Sequence, residues 1–204
     1  MKLVVLDRDE QKQIIRRRRA MGGDRYDEVW NGVYVMSPIA DNEHQQLAGE
    51  LVIAIAQSID RREGVRIFPG TNVSDQTEKW KKNFRCPDVA VFLPGNPAED
   101  RGTHWLGGPD FAVEIISPYD RSRKKFAFYA SVGVRELLLI DRKPWRLDLY
   151  QLRDHALQRV GQSTPETASL LSSSVLPLTF RVLPGQPRPR IEVNRVDGSQ
   201  NWLI

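Results

Sequence analysis

The sequence predicts an α/β or α+β fold that is built on a mixed central β-sheet. Helical and strand-like patterns alternate along the 204 residues, and residues 111–141 follow the order strand, helix, strand. That order is typical of a crossover unit whose two strands lie in one sheet. Hydrophobic residues make up 40% and charged residues 27%, as in ordinary globular proteins. The length favours one domain with short appendages.

The N-terminal segment, residues 1–23, is expected to form a basic helical arm. A mostly polar helix is predicted over residues 8–20, and it carries the unbroken run Arg16–Arg19. Gly22-Gly23 ends this helix, since glycine commonly follows a last helical turn. Residues 24–183 are then expected to form the main domain.

A hairpin and a long helix are predicted next. Two apolar runs within residues 28–36 flank Asn31-Gly32, which is the strongest short hairpin signal. Asp41 or Asn42 can cap a helix that begins near Glu43. The apolar stripe of this helix has helical spacing and consists of Leu47, Leu51, Ile55 and Ile59.

Buried strands are predicted in the middle of the chain, at residues 65–68, 87–93 and 111–116. Residues 94–109 are rich in Gly, Pro and charged side chains, so we expect a loop there. A helix fits residues 121–131, with Tyr119 or Asp120 near its start.

The C-terminal part begins with a second hairpin. Strands are predicted at residues 135–141 and 145–152, and they pair around the turn Arg142-Lys143-Pro144. Residues 153–183 contain shorter strand signals. Residues 184–204 are expected to form an extended tail, because prolines recur near their start.

Two acidic residues stand in strands that should be wholly apolar. Asp88 opens one strand directly after Pro87, and Glu114 lies inside an apolar run in the next. A buried carboxylate without a partner costs several kcal/mol, so it shifts its pKa or binds a cation. Two such acids on adjacent strands can converge on one Mg²⁺ ion, which prefers oxygen ligands. Alternatively, Asp88 caps a turn, and Glu114 lies on an edge strand or pairs with Arg121.

The distribution of basic residues matters more than the net charge of +4. Three clusters stand out: Arg16–Arg19; Lys79, Lys81 and Lys82 around Trp80; and Arg121, Arg123, Lys124 and Lys125. Each cluster alone is typical of a solvated face, whereas three in one small chain favour a surface for a polyanion.

Several other classes of protein find no support in the sequence. The single cysteine, Cys86, excludes an intrachain disulfide and fits a cytoplasmic setting. The longest apolar run, Leu51–Ala56, is far shorter than the roughly 20 residues of a membrane span. The histidines are scattered singles, which disfavours zinc, and GxSxG, P-loop and GxGxxG patterns do not occur.

Five segments of the chain carry a family resemblance. In order they are GVYVMSP, EHQQLAGEL, CPDVAVF, FAVEIISP and RKKFAFYASVGVRELLLID. Over about Glu28 to Leu152 the chain resembles the Uma2 family, which belongs to the PD-(D/E)XK nuclease-like superfamily. The most specific part is the helix phrase from Lys124 to Asp141. The resemblance implies a restriction-endonuclease-like fold over residues 24–183, with a mixed central sheet flanked by helices.

The resemblance also implies roles for individual residues. Asp88 corresponds to the acid of the PD pair and Glu114 to the (D/E) acid, so both would be catalytic metal ligands. The usual lysine two residues after that acid is missing, since Ile116 stands there. In Uma2-like sequences this lysine stands in the next helix, four residues before a tyrosine, which here indicates Lys125. Lys124 is the neighbouring alternative, about 100° away around a helix.

Three further residues are weaker candidates. His44 coincides with a histidine typical of the family and lies on the apolar stripe of its helix. It is either a catalytic residue or a satisfied core or capping histidine. Glu28 precedes the first hairpin strand, where the family commonly has an acid, and Glu50 lies in the same helix as His44. Either acid could add a ligand.

These expectations combine into one predicted function. The chain would be a Mg²⁺- or Mn²⁺-dependent endonuclease that hydrolyses DNA phosphodiester bonds, and a homodimer would supply two sites for cutting both strands. The alternative is a nuclease-fold module that binds nucleic acid or protein with weak or no catalysis. The departure at Ile116 favours this alternative.

Overall fold

The computed structural model describes residues 8–37, 40–60, 64–117 and 122–204. Its α-helices there are α1 (Arg8–Ala20), α2 (Asn42–Ser58) and α3 (Phe126–Ser131), and none of them is long and apolar enough to cross a membrane. Its 3₁₀ helices there include Trp80–Lys82 and Ser122–Lys125. Its strands there are β1 (Glu28–Trp30), β2 (Val33–Val35), β3 (Arg66–Phe68), β4 (Val73–Ser74), β5 (Phe84–Arg85), β6 (Val89–Phe92), β7 (Glu99–Asp100), β8 (Trp105–Leu106), β9 (Phe111–Ile115), β10 (Glu136–Arg142), β11 (Trp145–Arg153), β12 (Ala156–Ser163), β13 (Leu171–Ser172), β14 (Leu178–Leu183), β15 (Arg190–Arg195) and β16 (Asn201–Leu203).

The central sheet has six strands in the order β12-β11-β10-β9-β6-β3. β9 and β10 are parallel, with Val113 opposite Leu138, and the other neighbouring pairs are antiparallel. The parallel pair is the predicted crossover unit, because parallel neighbours need a long connection and α3 lies within it. The prediction of a mixed central sheet is confirmed.

A second sheet has six strands in the order β2-β1-β5-β4-β8-β7, and all of them lie within residues 28–106. β1 and β2 form the predicted hairpin, and its turn residues Asn31 and Gly32 have φ of 49° and 84°. The segment 94–109 is not all loop, because β7 and β8 pair within it. Trp105 holds this segment in place by stacking on Phe92, with ring centroids 3.8 Å apart.

A third sheet is formed by the C-terminal strands, in the order β13-β14-β15-β16. Residues 184–204 therefore do not form the extended tail expected from their prolines, since they contribute β15 and β16. Ile191 and Val193 alternate along β15 and are fully buried in the main core, and Ile204 is nearly so. This alternation supplies the apolar face that a β-strand needs to pack.

α2 packs against the central sheet and carries the predicted apolar stripe. Leu47, Leu51 and Ile55 are fully buried in the core that also contains strand residues of β6 and β9. Asp41 is the N-cap, since its carboxylate accepts the N–H of His44 at 2.8 Å. The cap starts the helix so that His44, three residues before Leu47, lies on the buried face.

The crossover helix differs from the predicted continuous helix over residues 121–131. It begins as the 3₁₀ helix Ser122–Lys125 and continues as α3, while its expected start at Tyr119 or Asp120 lies outside the described residues. Three residues per turn place Ser122 and Lys125 on the same side, and Tyr129 follows one α-helical turn later. The three side chains therefore share one face of the connection.

α1 is anchored through Arg18, a member of the basic run. The Arg18 guanidinium donates to both carboxylate oxygens of the buried Asp27, at 2.7 Å each, and to the Ser37 carbonyl at 2.9 Å. Arg16, Arg17 and Arg19 are exposed. The run therefore combines one structural arginine with a solvated basic face.

Candidate active site

Five residues that the sequence singles out line one cavity of about 330 Å³. The cavity lies beside the start of β6 and the end of β9, where the first turn of α2 and the 3₁₀ part of the crossover also approach. The five residues in its wall are Glu28, His44, Asp88, Glu114 and Lys125.

Asp88 stands immediately before β6 and is tied to β9. Its N–H donates to the Val113 carbonyl at 2.9 Å, and its Oδ2 accepts the Ile115 N–H at 2.7 Å. Asp88 thus bonds to both chain neighbours of Glu114, which places the two acids side by side. Its side chain keeps 19% of its surface exposed, so the carboxylate is open to the cavity.

Glu114 lies in a central strand of the sheet, not at an edge, because β9 runs between β6 and β10. The residue is only 2% exposed. Its carboxylate accepts hydrogen bonds from Lys125 Nζ at 2.9 Å to each oxygen, from Ser122 Oγ at 3.2 Å and from the Tyr129 hydroxyl. All these donors come from the crossover that follows β9.

Lys125 connects Glu114 to a third acid, Glu28. Lys125 Nζ lies 2.9 Å from Glu28 Oε1, and both side chains are almost fully buried. Glu28 is held in turn by the Cys86 N–H at 2.8 Å and by the Trp30 indole N–H at 2.6 Å. The ammonium therefore bridges a carboxylate of the second sheet and one of the central sheet.

His44 contacts Asp88 from the first turn of α2. Its Nε2 lies 2.9 Å from Asp88 Oδ1, and its Nδ1 lies 3.3 Å from Ser117 Oγ. The other oxygen of Asp88 is the one that binds Ile115. The histidine and the β9 backbone thus orient the Asp88 carboxylate from two sides.

Burial and the neighbouring charges together shift the pKa values of residues in the cavity. Burial raises the pKa of Glu114; Lys125 opposes that effect, and the carboxylates of Asp88 and Glu28 add to it. Burial by itself lowers the pKa of Lys125, but Glu114 and Glu28 outweigh it, so the net pKa is raised and the amine stays protonated. Burial also raises the pKa of Tyr129, whose hydroxyl therefore remains a donor.

The structure places the remaining sequence candidates outside this cavity. Lys124 is exposed, and Glu50 accepts a hydrogen bond from Gln46 at 2.8 Å on an exposed part of α2. Cys86 lines the cavity, but burial raises the pKa of its thiol, so it is no nucleophile. Of the two lysine candidates, Lys125 is the one whose amine contacts Glu114 in the cavity.

Sequence reasoning missed Ser122 and treated Tyr129 only as a marker of spacing. Both donate to Glu114 from the face that also carries Lys125. Their positions, three residues before and four residues after Lys125, are the signal that could have identified them.

The donor set fits a hard divalent cation. Asp88 and Glu114 offer carboxylate oxygens in one cavity, and Mg²⁺ typically takes one or two protein carboxylates together with water and phosphate oxygens. Within the described residues, no three His, Cys, Asp or Glu side chains converge on one position, as a structural zinc site would require. Asp88 and Glu114 are the residues that would hold a hard divalent cation, with water and phosphate oxygens as its other ligands.

A solved structure with a similar fold is described as that of "a putative nuclease belonging to DUF820" from Anabaena variabilis ATCC 29413. The TM-score is 0.57 at 18% sequence identity, and the match covers 73% of this chain and 82% of that chain. At this identity the likeness concerns the fold, and it confirms the predicted fold class. No curated protein matches the sequence.

The family profile described as "Uma2: Putative restriction endonuclease" matches residues 16–184. The matched range contains all five cavity residues and every segment on which the resemblance was based. It ends before β15 and β16 of the third sheet. This chain belongs to the Uma2 family.

Proposed function

We propose that the chain is a Mg²⁺- or Mn²⁺-dependent nuclease that hydrolyses DNA phosphodiester bonds, as a homodimer where both strands are cut. One observation carries the proposal: the amine of Lys125 reaches from the crossover into the cavity shared by Asp88 and Glu114. Two acids on neighbouring strands with an amine beside them form the charge pattern of the PD-(D/E)XK superfamily that the sequence resembles.

Asp88 and Glu114 would hold the divalent cation, which when bound polarises a phosphate oxygen and lowers the pKa of a bound water. The orientation of Asp88 by His44 and by the Ile115 N–H supports this role. Glu114 lies within β9, and hydrogen bonds to Val113 and Ile115 of the same strand fix Asp88, which stands immediately before β6.

Lys125 is a donor in this reaction. Its protonated amine can hold the attacking water through a hydrogen bond or stabilise the negative charge that develops on the phosphate. The water oxygen attacks phosphorus in line, the P–O bond to the leaving oxygen breaks, and the proton that the water gives up balances the one that the leaving oxygen takes up. No covalent enzyme intermediate is needed, and Cys86, whose thiol pKa is raised by burial, is not activated to form one.

Nicking of supercoiled plasmid with Mg²⁺, with Mn²⁺ and with EDTA tests the proposal. We expect the wild type to cut only with a divalent cation. Asp88→Asn and Lys125→Met should not cut.

Matched controls separate the site from general effects of charge. Lys124→Met removes an exposed neighbouring lysine, and Glu50→Gln removes an acid outside the cavity, so both should cut like the wild type. Cutting by Asp88→Asn, or equal loss in Lys124→Met and Lys125→Met, would contradict the assignment. Salt-sensitive DNA binding without cutting at any metal concentration would instead support the binding module.

A further inference from the structure

A second cavity, of about 430 Å³, is next to the one that contains Glu114, since Arg25 lines both. Its walls come from the end of α1, the first hairpin and the 3₁₀ helix Trp80–Lys82. Its charged and aromatic lining includes Arg19, Asp24, Arg25, Asp27, Trp80 and Lys81. Small-molecule sites commonly have volumes of about 300–1,000 Å³, so this cavity has room for a nucleobase.

The acids of this cavity are already paired, whereas two of its cations face solvent. Asp27 is bound by Arg18, and Asp24 lies 3.7 Å from Arg19. Arg25 and Lys81 are exposed, and each lies over an aromatic ring, 5.6 Å from the centroids of Tyr26 and Trp80 respectively. The surface therefore presents positive charge and aromatic rings together.

Trp80 is held as a rigid aromatic surface. His104, itself buried, stacks on the indole with ring centroids 4.6 Å apart and planes 12° apart. Phe84 contacts it edge-on at 5.3 Å. His104 thus covers one face of the indole, and both Trp80 and the Lys81 ammonium that lies over its ring line the second cavity.

We infer that this second cavity binds an unpaired base of the nucleic-acid substrate, which stacks on Trp80 while Arg25 and Lys81 contact the flanking phosphates. The inference rests on the proposed function. The bound strand would run from the stacked base past Arg25, which lines both cavities, into the cavity of Asp88 and Glu114. Bases inside a duplex have both faces covered, so an aromatic platform selects a single strand or an unstacked nucleotide. The Lys81 ammonium, now over the ring, would move to a phosphate when the base arrives.

The test measures binding without catalysis. Fluorescence anisotropy in EDTA compares a labelled twelve-nucleotide single strand with the corresponding duplex. We expect the wild type to prefer the single strand, and Trp80→Ala to weaken that binding about tenfold or more, as loss of one base stack does. Trp80→Phe should retain much of the affinity. Trp202→Ala, on β16, and Lys143→Ala, in an exposed turn, serve as controls and should bind like the wild type.

Lys81→Ala provides a second test that does not disturb packing, because this side chain is exposed. It should weaken single-strand binding. The slope of the logarithm of the binding constant against the logarithm of the salt concentration should fall in magnitude by about one, as expected for the loss of one phosphate contact. Wild-type affinity in both Trp80→Ala and Lys81→Ala, or a preference for duplex, would overturn the inference. If circular dichroism shows that Trp80→Ala is unfolded, the Lys81→Ala result and the strand preference decide.

The outcomes distinguish this inference from the proposed function. Plasmid cutting with binding that is indifferent to Trp80 and Lys81 removes the second cavity from substrate binding and leaves the nuclease proposal standing. Binding that depends on both residues, without any cutting, supports the second cavity and refutes the nuclease proposal.

Discussion

The two ends of the parallel strand pair each bury one glutamate, and the two glutamates have different partners. Glu136, at the start of β10, is fully buried and accepts hydrogen bonds from Gln151 at 2.9 Å, Ser173 Oγ at 2.5 Å and the Ser174 N–H at 2.7 Å. Glu114, near the end of β9, is bound by the ammonium of Lys125.

The difference lies in the charge and the surroundings of the partners. The Glu136 carboxylate accepts hydrogen bonds from neutral donors on β11 and on the segment before β14. Glu136 lines neither of the two cavities. Glu114 instead shares a cavity with Asp88, Glu28 and a protonated lysine. Burial of an acid alone is therefore weak evidence for a functional site, and the proposed site depends on the further charges that share the cavity of Glu114.

Glu114→Gln tests the difference between the two glutamates most directly. We expect metal-dependent plasmid cutting to be abolished, because the amide replaces a cation ligand, while the fold is retained. Circular dichroism and the plasmid assay check both parts. Cutting at the wild-type rate would remove Glu114 from the site.

Glu136→Gln should show the reverse pattern. Hydrogen bonds to a charged acceptor contribute about 1.5–3 kcal/mol each, so the free energy of unfolding should fall by about 2 kcal/mol or more. Urea denaturation measures this loss. Cutting per folded molecule should match the wild type, and a selective loss of cutting would show that Glu136 also serves the site.

Tyr129→Phe tests how much the surroundings of Glu114 contribute, because it removes one hydrogen-bond donor to the Glu114 carboxylate without changing the charge of the cavity. Residues that orient a metal ligand typically alter metal affinity or activity by about 10–100-fold. We expect the Mg²⁺ concentration for half-maximal cutting to rise by about that factor. The control is Tyr150→Phe, whose ring contacts Phe126 outside the cavity; an equal effect there would contradict the role of Tyr129.

The smallest effect is expected at Asp41, the exposed cap of the helix that carries His44, because water screens its interactions. Hydrogen bonds from Arg142 and from the His44 N–H lower the pKa of Asp41 to about 2. A lowered pKa contributes stability that is present above the ordinary pKa of about 4 and is lost as the pH falls towards 2.

Asp41→Asn keeps a capping side chain and removes the charge. Its melting temperature should therefore lie a few degrees below that of the wild type at pH 7, and the two should converge near pH 2. Thermal unfolding followed by circular dichroism across this pH range checks the sign. A gap that widens as the pH falls would be inconsistent with the low pKa.

Much of the fold follows from local pattern, and the exceptions have physical reasons. The Asn31-Gly32 hairpin, the stripe of α2 and the crossover unit depend on turn chemistry and periodicity, which neighbouring residues encode. β7, β8 and β16 do not, because strands of two or three residues exist only where a partner strand completes their hydrogen bonds. Prolines near residue 187 also hid the alternation of Ile191 and Val193.

By itself the sequence determined which acids are out of place in apolar strands, Asp88 and Glu114, and that an amine follows them in the next helix. Only the tertiary structure decided what surrounds them: the 3₁₀ turn that aligns Ser122 with Lys125, and Glu28 on the far side of the amine. The physical reason is the distance along the chain over which each feature is encoded. Periodicity records which face of one element is buried, whereas the charge balance of a cavity depends on elements that meet only when the chain folds.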